Sequence, residues 1–125
     1  MSDLNSVSER SFGYAVAAGA YCAPGTLMHI NSGAGTCSPA NNTGGNYAHG
    51  VATTSGAGTK TAGISQYATL VRCARIVDTS WSFAKGSPVY LSTTAGAIAQ
   101  TGTQKVGFAL DTDEVFVDLD LVTIT

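Results

Sequence analysis

Residues 86–96 read GSPVYLSTTAG, and residues 25–35 read GTLMHINSGAG. Each opens with Gly and runs through an apolar-rich stretch, Met28-His29-Ile30 or Val89-Tyr90-Leu91, to close on Ala-Gly. Alternating side chains project to opposite faces of an extended strand, and a closing glycine permits the turn that ends it. Neither copy holds a nucleophile, an acid–base pair or a phosphate-binding loop. A strand-and-turn unit written twice carries architecture, not chemistry.

The repeat extends outward from this phrase. HGVATT (49–54) corresponds to VGFALDT (106–112), and LVRCARIV (70–77) to VFVDLDLV (115–122). Each half reads strand, glycine turn, short strand, glycine turn, Gly-x-Ala strand, long strand, with longer loops in the first half. Units of this size cannot bury a core alone, so their apolar faces must pair. The expected fold is all-β: a small barrel or sandwich built from two similar β-meander halves, about 13–78 and 81–125, within one domain spanning 12–125. Strands are expected over 12–18, 27–31, 47–53, 67–78, 97–100 and 105–110, with a short one near 36–38. In the last segment Val115, Val117, Leu119 and Leu121 share one face, while Phe116, Asp118, Asp120, Val122 and Ile124 share the other. Residues 54–63 read as a flexible loop. Residues 1–11 read as an extended N-terminal arm with Leu4 and Val7 as isolated apolar teeth.

Composition narrows the function classes. Apolar residues form 44% of the 125 and charged residues 11%, well below the roughly 25% charge of an ordinary soluble domain. So weakly charged a surface implies cover by other chains. Net charge is −2 without a Lys/Arg run, which argues against nucleic acid as a partner. No stretch approaches the roughly 18 apolar residues of a membrane span, and the polar start MSDLNSVSER resembles no secretory leader. Three cysteines without such a leader predict free buried thiols. Asn41-Asn42-Thr43 reads as a polar loop.

Candidate chemistry is sparse. His29 and His49 occupy matching places in strands of the first half and can approach each other and Cys37 or Cys73. Zinc needs three or four converging ligands, and no Cys-x-x-Cys or His-x-x-x-His spacing supplies them, so no metal is expected. His29 stands where the second copy has Tyr90. Asp111, Asp113, Glu114, Asp118 and Asp120 cluster near the C-terminus, but DTDEVFVD lacks the glycine and spacing of a calcium loop. Asp118 and Asp120 fit cross-strand pairing with Arg72 or Arg75. GAGTKTAG (56–63) lacks the spacing of a phosphate loop, and no Gly-x-Ser-x-Gly elbow occurs. Neither enzymatic activity nor a cofactor is expected.

The order of these pieces resembles the small tailed-phage proteins known as capsid cement or head decoration proteins. The resemblance is carried by the Gly-Val-Ala strand at 50–52, the Thr/Gly-rich loop, the long strand around 67–77 and the aromatic connection of Trp81 and Phe83. AKGSPVYLSTTAGAIAQTGTQKVGFAL (84–110) and a Val/Asp/Leu-rich closing strand complete it. It covers about 13–122 and departs from the family pattern in the 31–46 loop and the 1–11 arm. The resemblance implies a virion protein, made in the host cytoplasm, that sits on the outer capsid surface as a homotrimer. Its partner would be the major capsid protein, with Leu4, Val7, Arg10 and Phe12 as contact residues; Tyr14 is a further apolar tooth of the same region. The alternative is a tail-fibre or receptor-binding β module, for which Tyr21, Tyr47 and Trp81 are the available aromatics.

Overall fold

The computed structural model describes residues 11–43 and 45–119, and among them there is no α-helix. The strands are β1 (Phe12–Val16), β2 (Tyr21–Cys22), β3 (Leu27–Asn31), β4 (Thr36–Pro39), β5 (Gly50–Ala52), β6 (Gly56–Ala57) and β7 (Tyr67–Val71), then β8 (Cys73–Val77), β9 (Pro88–Leu91), β10 (Ile98–Ala99), β11 (Lys105–Asp111) and β12 (Glu114–Asp118). β1-β4-β3-β5-β7 form a closed barrel, β10-β9-β11-β12-β8 an open sheet, and β2-β6 a separate two-stranded ribbon.

The two large assemblies are the same arrangement. Reading β1, β3, β4, β5, β7 against β8, β9, β10, β11, β12 preserves both chain order and neighbours, and these matching neighbours all pair antiparallel. One pairing separates them. β1 lies parallel to β4, with Ala15 opposite Thr36 and Val16 opposite Cys37, and this closes the first half. β8 and β10 do not pair, so the second stays open. The Pro24–Thr26 turn of the first half reaches this seam, lining a cavity of about 290 Å³ with Ile76, Trp81 and Ile98.

Glycine placement follows the duplication. Gly50 and Gly107 each begin a Gly-x-Ala stretch facing the last strand of their half. A Cβ on Gly50 would lie 3.0 Å from Leu70 Cβ, and one on Gly107 would overlap the Phe116 carbonyl. The close approach of strands requires glycine at Gly107 and leaves a side chain little room at Gly50.

The barrel interior holds Val16, Cys22, Met28, Cys37, Ala52, Ala68 and Leu70, with Phe12 and Tyr14 half-buried against them. Barrel width grows with strand number, so a five-stranded lumen accommodates mostly small side chains. The second core lies between the halves. Val89, Leu91, Val106, Ala109, Val115 and Val117 of the open sheet meet Leu27, Ala40, Ala48 and Val51 of the first half. Fully burying a side chain such as Leu27 contributes about 1.5–3 kcal/mol. The backbone adds a seam: Leu27 N–H donates to Gly96 C=O (3.0 Å), and Gly96 N–H donates to Ala40 C=O (2.6 Å).

Several expectations need correction. The run 67–78 is two strands, because Val71 pairs with Val51 of the barrel and Cys73 with Asp118 of the open sheet. The halves therefore change over at Arg72, earlier than the 78–81 boundary read from sequence, and β8 corresponds to β1 instead of extending β7. Arg72 pins that corner by donating to His49 C=O (3.1 Å) in the first half and Leu119 C=O (2.8 Å) in the second. The expected loop 54–63 begins as buried β6, since Gly56, Ala57 and Gly58 are small enough to lie against Val16 and Ala17. The strand expected at 47–53 is only Gly50–Ala52. Cys73 is exposed, unlike Cys22 and Cys37, because it shares the outward face of β8 with Arg75 and Val77 while Ala74 and Ile76 face the core.

Candidate functional site

The duplication exposes a difference in what covers each half. On the outer face of the barrel, Leu27, Val51 and Val71 form a row in register across β3, β5 and β7. The second half buries this row in the shared core. The corresponding row of the second half is Pro88, Phe108 and Phe116, in register across β9, β11 and β12. No part of the described chain covers it, and Phe108 remains 41% exposed.

Phe108 and Phe116 meet with ring centroids 5.8 Å apart, a favourable aromatic spacing. Leu110, 39% exposed, extends the apolar surface along β11. An open hollow of about 570 Å³ adjoins it at Pro88 and Tyr90, where Ser87, Gln100 and Thr101 supply polar groups. Toward the β11–β12 turn, Asp111 faces Glu114. Lys85 pairs with Asp111 (3.8 Å) and Arg75 with Glu114 (Nε to Oε2, 2.6 Å), which balances the charge on that side. An apolar centre with a polar, charge-balanced rim has the composition of a protein-binding face.

The histidines lie on the outer face of the barrel with ring centroids 4.8 Å apart. His29 Nδ1 donates to Tyr47 C=O (2.7 Å), and His49 Nδ1 accepts from Ile30 N–H (2.9 Å). Neutral His49 therefore carries its proton on Nε2. Burial, the neighbouring His29 and the Arg72 guanidinium hold His49 below the ordinary histidine value. With both His49 nitrogens committed, the pair presents one open lone pair, on His29 Nε2. Among the described residues no group of three or more His, Cys, Asp or Glu side chains converges as metal ligands would.

The other sequence-selected residues are dispersed. Leu4, Val7 and Arg10 lie outside the described residues. Phe12 begins β1 and packs against the barrel core, its ring set edge-on to Tyr14 at 5.8 Å. Arg75 pairs with Glu114, whereas Asp118 faces Cys73 across the strands and accepts from its thiol (3.3 Å). Asp120 lies outside the described residues. Asp78 is held below the usual carboxylate range by the Ser80 hydroxyl and amide. Tyr47 and Trp81 pack against the shared core, and Tyr21 stands exposed on β2. Burial pushes the Cys22 and Cys37 thiols above their ordinary value.

Neither a protein-family model nor a curated protein matches the chain. The arrangement of its own residues is therefore the basis for assigning a role. Sequence reasoning overlooked the Pro88–Phe108–Phe116 row, although its signal was available: aligning the repeats sets these residues against Leu27, Val51 and Val71.

Proposed function

We propose that this chain is an adhesive structural protein: a capsid cement or head decoration protein on the outer surface of an assembled phage head. It acts there as a homotrimer that bridges neighbouring major capsid subunits. The observation that carries the reading is the Pro88–Phe108–Phe116 row, whose counterpart in the first half is a buried packing face. Among the described residues one such face is covered internally and the other is exposed, which suits the second to meeting another protein.

The mechanism is thermodynamic linkage. Binding only the assembled lattice lowers that state's free energy by RT ln(1 + [L]/Kd) per site, and three linked protomers increase avidity. Leu4, Val7 and Arg10 add an arm contact in this reading, at the entropic cost of ordering the segment. The low charge of the chain fits a surface divided among partners.

The test mixes purified protein with expanded, undecorated heads and measures the bound fraction. Wild type should bind, Phe108→Ser/Phe116→Ser should lose most binding, and deletion of residues 1–10 should weaken it while leaving folding and oligomerisation intact. Failure of wild type to bind heads from the phage encoding it would overturn the cement reading. Binding by wild type and the double variant alike would remove the aromatic row from it.

A further inference from the structure

A strap formed by Asn46–His49 is held from two sides. On one side, the Gln104 side chain bonds both backbone groups of Ala48. On the other side, the link to β3 consists of His29 Nδ1 donating to Tyr47 C=O, Ile30 N–H donating to His49 Nδ1, and His49 N–H donating to Met28 C=O (2.7 Å). Only the Ile30 bond requires an unprotonated ring nitrogen. We propose that the His29–His49 pair is a proton-operated clasp, in which protonation of His49 expels Ile30 N–H and loosens the strap's hold on β3 while Gln104 retains its other side.

The surroundings give the clasp its direction. Protonated His49 has no lone pair at Nδ1, so the Ile30 donor faces another donor and the bond becomes a repulsion. Facing His49 are His29 from β3 and the Arg72 guanidinium from the β7–β8 corner, which donates to the His49 carbonyl. β4 brings the neutral Ser38 opposite His29, and at the end of β12 Asp118 faces Cys73. Among the described residues no carboxylate forms an ion pair with either ring. A positive charge on His49 would therefore stand beside that of the Arg72 guanidinium, which raises the cost of protonating the ring. Because the folded state holds His49 below 6.5, the unfolded chain takes up the proton first. The contribution of this site to stability is complete above about pH 6.5 and is lost as pH falls through the lowered value.

The experiment follows backbone amide exchange in full-length protein at pH 7.5 and 5.5, corrected for intrinsic rates, with the buried Leu70 as internal reference. In wild type, Ile30 protection should fall at least tenfold relative to Leu70 at the lower pH. His49→Asn places a non-titrating carbonyl acceptor near the Nδ1 position, so Ile30 protection in that variant should not change with pH. Equal relative protection of Ile30 at both pH values in wild type would overturn the proposal, as would acid sensitivity unchanged in His49→Asn. If the variant does not fold, the ring-nitrogen shifts of wild type decide. An Nε2–H tautomer of His49 with a midpoint below 6.5 supports the clasp, and a His49 midpoint at or above 6.5 refutes it.

Discussion

The Gln104 side-chain amide pairs with the backbone of Ala48 as a neighbouring strand would. Its Nε2 donates to the Ala48 carbonyl at 3.0 Å, and its Oε1 accepts from the Ala48 amide at 2.7 Å. Gln104 is 2% exposed, so both bonds form away from water. Asn42 reinforces the joint: its Oδ1 accepts from Thr103 N–H at 3.3 Å, and its own N–H donates to Ser92 C=O at 3.0 Å. Asn42 and Ala48 are thus both fastened to the opposite half.

Replacing Gln104 by Leu should destabilise the protein by about 2–4 kcal/mol, because a buried donor and acceptor on Ala48 both lose their partner. Urea denaturation measures this loss. Gln104→Glu should have a pH signature that Leu lacks. The carboxylate can accept from Ala48 N–H but opposes Ala48 C=O, whereas the protonated acid restores the donor. Burial raises the folded-state value of such a carboxyl. The deficit relative to wild type should therefore be smallest near pH 4 and grow as pH rises through the raised value.

The equivalent glycines should respond unequally to alanine. Gly50→Ala brings its methyl to 3.0 Å from Leu70 Cβ and 3.3 Å from the Phe12 ring, contacts that a displacement of a few tenths of an ångström relieves. Gly107→Ala overlaps a carbonyl of the paired strand, which can yield only by moving backbone. Overpacking of this kind costs about 1–3 kcal/mol. Gly50→Ala should fall at the lower end and Gly107→Ala at or beyond the upper end in thermal unfolding.

Matching outer rows should have opposite mutational profiles. Leu27→Ala should cost about 2–5 kcal/mol, as expected for a buried leucine. Phe108→Ser should cost much less, because the ring is already substantially exposed. Chemical denaturation of the two variants side by side checks this. A Phe108 variant as damaging as Leu27→Ala would mean that the row supports the fold instead of a partner.

Thiol titration should separate the cysteines. Cys73 should react with Ellman's reagent in the native protein, and Cys22 and Cys37 only on unfolding. Burial restricts access to the latter two and raises their thiols' pKa, while Cys22 also donates to Thr54 C=O at 3.6 Å. Three fast thiols in native protein would contradict the packed barrel interior.

The repeated phrase at 25–35 and 86–96 set the correspondence of β3 with β9, the match of HGVATT with VGFALDT set that of β5 with β11, and together they were sufficient for the all-β class. Strand alternation and glycine turns are local properties, visible wherever the chain is written. Alternation also identified Val115, Val117 and Leu119 as one buried face. The break at Arg72 was not legible, because 67–78 is uniformly suited to extended structure. What divides it is the choice between Val51 and Asp118 as cross-strand neighbours, both distant in sequence. The same holds for Gln104 and Ala48, and for the histidine pair, whose proximity depends on register between strands. Most decisively, Leu27–Val51–Val71 and Pro88–Phe108–Phe116 are both apolar rows on matching strands. Sequence determined that each half would have such a face. Only the tertiary arrangement decided which one is buried, because the open sheet of the described residues packs over the Leu27–Val51–Val71 row and turns its own row the other way.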